Sequence, residues 1–126
     1  MDRSRIVVGG GSAGGMIAVN LCYMKEWNAG EWDRSGVVGL VNLWGSPRPD
    51  WSFYEVNPED PPALIVHGTQ DASVAFSNAL DLVKELESQG VHHELVTVEG
   101  AGHTPHRRMD NFVQYIARFL FELIRK

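Results

Sequence analysis

Cysteine, basic charge and long apolar runs are all scarce in this sequence, and each scarcity narrows what the protein can be. Cys22 is the single cysteine among 126 residues, so no disulfide can form within the chain and nothing indicates an oxidising compartment. Lysine and arginine total 11 against 16 aspartate and glutamate residues, and the net charge of −5 argues against a nucleic-acid partner. No apolar run reaches the length of about 18 residues that a membrane span needs.

The N-terminal segment does not have the pattern expected of a signal peptide. Arg3 and Arg5 precede an apolar run, but Ile6-Val7-Val8 is too short for the apolar region of a signal peptide, and glycines follow it. We therefore expect a cytoplasmic protein. Apolar residues make up 44% of the chain and charged residues 21%, which is typical of a globular protein, and the length suits one domain, residues 1–126.

Hydrophobic patterning predicts that strands and helices alternate along the chain. Continuous apolar runs such as Ala63-Leu64-Ile65-Val66 are typical of strands that are covered on both faces. The predicted strands cover 5–8, 36–44, 63–67 and 93–98, the predicted helices cover 13–27, 75–89 and a stretch from Pro105 nearly to the C-terminus, and a long loop covers 45–62. This order predicts an α/β fold of about four mostly parallel strands with helices on both faces.

A glycine-rich junction joins the first predicted strand to the first predicted helix. It contains the pattern G-x-S-x-G as Gly10-Gly11-Ser12-Ala13-Gly14. On such a turn the serine oxygen stands clear of the strand end, and the amide of Ala13 at the helix N-terminus would face a developing oxyanion. Taken alone, the junction also fits a phosphate or dinucleotide loop, because residues 9–14 match G-x-G-x-x-G, and it fits a plain turn as well.

Two polar residues follow later predicted strands. Asp71 comes three residues after Gly68, and His103 lies in a glycine-flanked loop after the strand at 93–98. The carboxyl ends of parallel strands share one sheet edge, where the functional groups of α/β proteins collect. Each residue alone is more often structural, the aspartate as a turn residue or helix cap. Together, in the order Ser12, Asp71 and His103, they indicate a catalytic triad.

The other histidines do not suggest a metal site. They show no paired-histidine or Cys/His spacing, so we expect neither a metal nor a cofactor. These residues are His67, His92, His93 and His106.

With these motifs the chain resembles the C-terminal half of an α/β-hydrolase, and it is most similar to carboxylesterases and lipases with a G-x-S-A-G-G elbow. The resemblance implies that Ser12 attacks an ester carbonyl and that His103 takes the serine proton and returns it to the leaving alcohol. Asp71 would orient the imidazole and stabilise the imidazolium. The loop at 45–62 is too short for a cap domain, which favours small carboxylic esters as substrates.

The sequence departs from this family at its beginning. In the family, the first half of the sheet precedes the elbow, as does a glycine-rich loop that supplies a second oxyanion-hole amide. Here the elbow strand starts at about residue 5, which leaves the Ala13 amide, and losing one donor typically costs about 10²–10³ in rate. The first strand would also present an open edge. We expect a second copy of the chain to cover that edge in a homo-oligomer.

Aromatic residues near the long loop are the candidates for an acyl pocket, although they would also serve simply to cover the sheet end. They are Trp44, Trp51, Phe53 and Tyr54. Other functions stay open at this point. The chain could be a weak or inactive hydrolase fragment that acts as a binding or assembly module. It could also use the same triad as a thioesterase, peptidase or lactonase, or bind a nucleotide through the glycine loop.

Overall fold

Parallel strand pairing organises the chain into one sheet. The computed structural model describes residues 2–24, 34–47 and 55–125. The strands are β1 (Ile6–Gly11), β2 (Val37–Leu43), β3 (Ala63–Gly68) and β4 (His93–Val98), and the helices are α1 (Ala13–Tyr23), α2 (Phe76–Ser88) and α3 (Phe112–Arg125). Among the described strands the order is β1-β2-β3-β4 and every pairing is parallel. The predicted α/β fold with about four mostly parallel strands is confirmed.

Helical layers bury the sheet on both faces, because its central strands carry apolar side chains on both sides. Along β3, Ala63 and Ile65 belong to the core shared with α1 and α2, whereas Leu64 and Val66 belong to the core shared with α3. All four have no exposed surface, and burying a valine, leucine or isoleucine contributes about 1.5–3 kcal/mol. The helical residues of the two cores are Ala18, Val19, Cys22 and Tyr23 of α1, Ala79, Leu82 and Leu86 of α2, and Phe119 of α3.

Helix α1 ends earlier than the sequence pattern predicts, at Tyr23 rather than at residue 27. Met24 follows with φ −65° and ψ 132°, which is an extended conformation. The Arg34 guanidinium donates to the main-chain oxygens of Cys22 at 2.8 Å and of Met24 at 3.1 Å. A cation therefore satisfies carbonyl groups at the helix C-terminus, where the helix dipole favours positive charge. A local apolar pattern cannot reveal a cap that comes from a residue ten or more positions later in the chain.

The last predicted helix is two elements rather than one. A short 3₁₀ helix covers Pro105–Arg108, with Pro105 in its first turn, and Met109 then adopts extended dihedral angles before α3 begins. The apolar pattern was correct from Phe112 onward, where Phe119 reaches the core, but it was extended too far back toward Pro105. In the described part of the chain, no helix has the length and apolar content needed to cross a membrane.

Candidate active site

Ser12 occupies the sharp turn between β1 and α1. Its φ of 54° and ψ of −117° lie outside the regions that residues with a Cβ usually adopt, and such strain costs about 1–3 kcal/mol. The Ser12 amide donates to the Leu43 carbonyl oxygen at 2.9 Å, which ties the turn to the end of β2. The turn therefore holds the Ser12 hydroxyl at the carboxyl end of the sheet.

Close backbone contacts explain two of the glycines around this turn. A Cβ at Gly10 would lie 2.5 Å from the main-chain carbon of Gly14, so β1 and α1 can approach this closely only with glycine there. A Cβ at Gly15 would lie 2.7 Å from Asn42 Oδ1, an oxygen already engaged in the turn after β2. A Cβ at Gly14 would meet no atom of the described residues within 4 Å. Sequence reasoning named Gly14 and missed Gly15, although the doubled glycine was a visible signal.

His103 lies in the loop after β4, and its ring reaches the serine. The distance from His103 Nε2 to Ser12 Oγ is 2.7 Å. The loop is fixed by a hydrogen bond from the Gln70 amide to the Ala101 carbonyl oxygen at 2.9 Å. A Cβ at Gly68 would lie 2.3 Å from that same oxygen, so glycine at the end of β3 allows the two loops to touch. The ends of β3 and β4 thus bring the second and third candidate residues together.

Asp71 accepts a hydrogen bond from Nδ1, the other nitrogen of the His103 ring. His103 Nδ1 lies 2.8 Å from Asp71 Oδ2 and 3.1 Å from Oδ1, and Oδ1 also accepts the amides of Ser73 at 2.9 Å and Val74 at 2.8 Å. The Asp71 side chain is fully buried. Burial raises the pKa of Asp71, but the hydrogen bonds that these three donors give to the carboxylate outweigh burial, so the pKa lies below its ordinary value.

The hydrogen-bond partners of the His103 ring indicate which of its nitrogens carries the hydrogen. A carboxylate can only accept, so His103 Nδ1 carries the hydrogen and Nε2 presents a lone pair to the Ser12 hydroxyl. The arrangement can therefore move a proton from the serine oxygen to the imidazole, while the Asp71 carboxylate stabilises the resulting imidazolium. The His103 side chain is 28% exposed, so solvent and small molecules can reach the imidazole.

The first turn of α1 begins beside the serine. Ala13 and the preceding Gly11 are both exposed, and Ala13 is the first residue of the helix. The first N–H groups of a helix have no partner within the helix, and the positive end of the helix dipole lies there. As the first N–H group of α1, the Ala13 amide is the candidate donor to negative charge that develops next to Ser12.

Trp44 packs behind the serine turn. It follows β2 with a φ of 46°, is only 8% exposed, and its indole would lie 3.3 Å from a Cβ at Gly11. The indole also stacks on the His106 ring, with centroids 5.0 Å apart and planes at 13°, and tilts against Phe112 at 6.0 Å. Trp44 therefore joins the turn that carries Ser12 to the segment that follows His103. The other aromatic candidates, Trp51, Phe53 and Tyr54, lie outside the described residues.

Sequence reasoning also missed His67, whose buried ring contacts Asp71. Its Nε2 lies 3.4 Å from Asp71 Oδ2. The signal was present, since a histidine ends the otherwise apolar run of β3, but a lone histidine in a strand is not distinctive. Within the described residues, no three His, Cys, Asp or Glu side chains group as ligands for a metal ion.

Comparison with known proteins identifies the family of this chain. The sequence model of the prolyl oligopeptidase family matches residues 19–126. The chain belongs to the prolyl oligopeptidase family. Asp71 and His103 lie inside the matched segment, and Ser12 precedes it. The match confirms the resemblance to α/β-hydrolases that the sequence motifs predicted.

Solved structures of other proteins share the fold of this member of the prolyl oligopeptidase family. A truncated carbohydrate esterase from gut microbiota is 21% identical with a TM-score of 0.77, and the match covers 100% of this chain and 62% of that one. An α/β-hydrolase from a Medee basin deep-sea metagenome library is 18% identical with a TM-score of 0.76, covering 100% and 57%. At these identities the likeness shows the fold.

A third similar structure is the thermophilic esterase Est2 of the planctomycete Thermogutta terrifontis. It is 26% identical with a TM-score of 0.71, and the match covers 95% of this chain and 55% of that one. The same esterase is also known phosphorylated by paraoxon. This chain therefore spans between 55% and 62% of the length of the three structures compared.

Proposed function

We propose that this protein is a serine hydrolase that cleaves short-chain carboxylic esters through an acyl-enzyme on Ser12. One observation carries the proposal. A continuous series of hydrogen bonds runs from Ser12 Oγ to His103 Nε2 at 2.7 Å and from His103 Nδ1 to Asp71 Oδ2 at 2.8 Å. Three residues separated by up to 91 positions in sequence meet in the order that proton transfer requires.

The mechanism follows from these contacts. Ser12 Oγ attacks the ester carbonyl carbon while His103 Nε2 removes the hydroxyl proton, and the carbonyl oxygen becomes an anion close to the Ala13 amide. The C–O bond to the alcohol then breaks, and His103 gives its proton to the leaving alkoxide. Water repeats the sequence on the acyl-enzyme, with His103 as base and Ser12 as the leaving group. Asp71 remains ionised throughout and keeps the imidazole in the correct tautomer.

Ester substrates are supported by the Thermogutta terrifontis esterase, which exceeds 25% identity to this chain. A peptide bond is the second candidate, because the matching family is named for oligopeptidases that act at proline. Amide cleavage is the more demanding reaction, since an amine is a poorer leaving group than an alcohol.

A second copy of the chain is our proposal for what covers the free side of β1. Among the described strands β1 lies at one edge of the sheet, with its outward N–H and C=O groups unpaired by β2. Two copies related by a two-fold axis could pair their β1 strands and bring further amides toward Ser12. Light scattering on the purified chain of 14.0 kDa tests this, and a monodisperse monomer would contradict it.

The deciding experiment compares three proteins on p-nitrophenyl acetate: the wild type, Ser12→Ala and Ser88→Ala. Ser88 lies at the exposed C-terminal end of α2, where its hydroxyl donates to the Glu85 carbonyl oxygen at 2.7 Å, so it is a matched control. We expect turnover by the wild type and by Ser88→Ala, and loss to background in Ser12→Ala. An acyl-proline p-nitroanilide in the same assay tests the peptidase candidate.

Paraoxon adds a measurement that does not require turnover. Covalent phosphorylation needs an activated serine, so we expect one adduct per chain, located on Ser12 by mass spectrometry and absent from Ser12→Ala. Labelling without ester turnover would mean that the nucleophile is competent and the ester substrate is wrong. If paraoxon does not label the chain and the ester is not hydrolysed, the hydrolase proposal is rejected. The binding or assembly module then becomes the first candidate.

A further inference from the structure

The imidazole of His67 lies next to Asp71 and has no part in the mechanism above. His67 is the next-to-last residue of β3 and has no exposed surface. Its Nε2 lies 2.8 Å from the carbonyl oxygen of Val74 and 3.4 Å from Asp71 Oδ2. Polar side chains are rarely buried this completely without a partner that requires them, so the contacts on the Asp71 loop need an explanation.

These contacts determine the tautomer of His67. A carbonyl oxygen can only accept a hydrogen bond, so Nε2 carries the hydrogen. Nδ1 is buried, and no described residue gives it a hydrogen-bond partner. A hydrogen on Nδ1 would therefore have no described acceptor, whereas a bare lone pair there is tolerated more easily. The Phe76 ring packs against the imidazole at 5.9 Å with the planes at 60°, which limits rotation of the ring.

We propose that His67 is a positioning residue that holds the Asp71 carboxylate in place for His103, and this rests on the proposed hydrolase function. Two hydrogen bonds at Val74 hold the turn after β3. Asp71 Oδ1 accepts the Val74 amide at 2.8 Å, and the Val74 carbonyl accepts the His67 N–H at 2.8 Å. One buried imidazole thus fixes the main chain to which the carboxylate is anchored.

The contact between His67 Nε2 and Asp71 Oδ2 also bears on the orientation of the carboxylate. At 3.4 Å it is longer than an ordinary N–H···O hydrogen bond, so its effect is electrostatic rather than that of a second full bond. The His67 N–H dipole favours negative charge on Oδ2, the oxygen that lies 2.8 Å from His103 Nδ1. Loss of this N–H would leave the Val74 carbonyl without its buried donor and would free the carboxylate to shift away from His103.

A purely structural role would make a different prediction. If His67 only filled space in β3, an apolar side chain of similar volume would preserve the catalytic group. If it positions Asp71, a side chain with an N–H in the same place is required, whatever its effect on stability. Leucine and glutamine separate these cases, because leucine fills the volume without a donor and glutamine offers an amide N–H near the position of Nε2.

The test uses His67→Leu, His67→Gln and the control His92→Leu, which changes an exposed histidine before β4. We expect His67→Leu to lower kcat on p-nitrophenyl acetate about 10- to 100-fold with KM little changed, as misplacement of a catalytic group does. We expect His67→Gln to recover most of that loss and His92→Leu to match the wild type. Equal kcat in His67→Leu and the wild type would overturn the proposal, as would a failure of glutamine to improve on leucine.

Nuclear magnetic resonance gives a readout that is independent of turnover. The His103 Nδ1–H bonded to Asp71 should give a low-field proton signal in the wild type and His67→Gln, and this signal should shift or broaden in His67→Leu. Nitrogen-15 spectra of the wild type should show His67 protonated at Nε2 alone. Protonation at Nδ1 would overturn the proposal even if His67→Leu fails to fold. A wild type that neither hydrolyses esters nor reacts with paraoxon, yet gives these signals, would reject the hydrolase function and leave the positioning contact standing.

Discussion

Replacing Asp71 with asparagine is a sharp test of the site, because the two carboxylate oxygens have different principal partners. Oδ1 accepts the amides of Ser73 and Val74 and lies farther from His103 Nδ1, at 3.1 Å, while Oδ2 faces that N–H at 2.8 Å. Asparagine has one side-chain oxygen, and the two amides will retain it. The NH₂ group must then take the place of Oδ2, where it faces the His103 N–H and, 3.4 Å from the Oδ2 position, His67 Nε2.

The consequence is a change of tautomer in His103. Two donors cannot bond each other, so Nδ1 gives up its hydrogen to accept from the amide, and Nε2 becomes protonated. A protonated Nε2 cannot remove the proton of Ser12. The corresponding exchange in a known Ser-His-Asp hydrolase lowers kcat about 10⁴-fold, and at about 1.36 kcal/mol per tenfold this is about 5.4 kcal/mol of transition-state stabilisation.

The assay is kcat on p-nitrophenyl acetate at neutral pH, with the rate of paraoxon labelling as a second measure. Asp81→Asn is the control, because Asp81 is exposed on α2 and is remote in the chain from the serine turn. Circular dichroism establishes that each variant is folded. If folded Asp71→Asn retained more than about a tenth of the wild-type rate, the carboxylate would not set the tautomer and the reasoning above would fail.

Three further predictions concern stability and reactivity. Gly15→Ala places a Cβ 2.7 Å from Asn42 Oδ1 and should lower the free energy of unfolding by about 1–3 kcal/mol, as measured by urea denaturation. Gly14→Ala should not lower it, because a Cβ there meets no described atom within 4 Å. The lowered pKa of Asp71 means that its contribution to stability is present above about pH 4 and is lost as the pH falls through the folded-state pKa. The difference in urea midpoint between the wild type and Asp71→Asn should therefore narrow from about pH 6 to about pH 3. Burial raises the pKa of Cys22 to about 12, so iodoacetamide at about pH 8 should modify it slowly in the native protein and rapidly in urea.

Each of these predictions has a contrary result. Equal unfolding free energies for Gly15→Ala and Gly14→Ala would mean that Asn42 moves aside. A midpoint difference that stays constant with pH would mean that Asp71 titrates alike in the folded and unfolded chains. Rapid native labelling of Cys22 would indicate that the core beside α1 opens readily.

Sequence reasoning succeeded where burial on both faces imposes a simple pattern. The apolar run that became β3 and the glycine-rich turn before α1 carry their signals within a few residues, because a covered parallel strand and a strand-to-helix turn admit few residue types. The alternation of predicted strands and helices along the chain then predicted a mostly parallel sheet. The end of α1 was predicted wrongly because Arg34, which caps it, lies 12 residues after Cys22 in the chain.

The interior of the site was harder to predict than its principal residues. His67 carries no local signal for its contact with the Val74 carbonyl, since that hydrogen bond depends on the path of the loop after β3. Trp44 was named for a pocket wall, and that stays a prediction. Its stacking on His106, a residue of the 3₁₀ helix that sequence patterning merged into α3, was not predicted. Both contacts depend on tertiary structure, and no periodicity encodes them.

The all-parallel pairing of the strands has a consequence for how the protein folds. Parallel neighbours must be joined by crossover segments, so no two adjacent strands can pair as a local hairpin, and topologies of this kind fold slowly. Ser12 and His103 stand at the ends of β1 and β4, the two outermost described strands. Their hydrogen bond can form only after every intervening strand has docked. Reactivity toward paraoxon would then report completion of the sheet, and during refolding it should appear last, after helix formation and burial of Trp44.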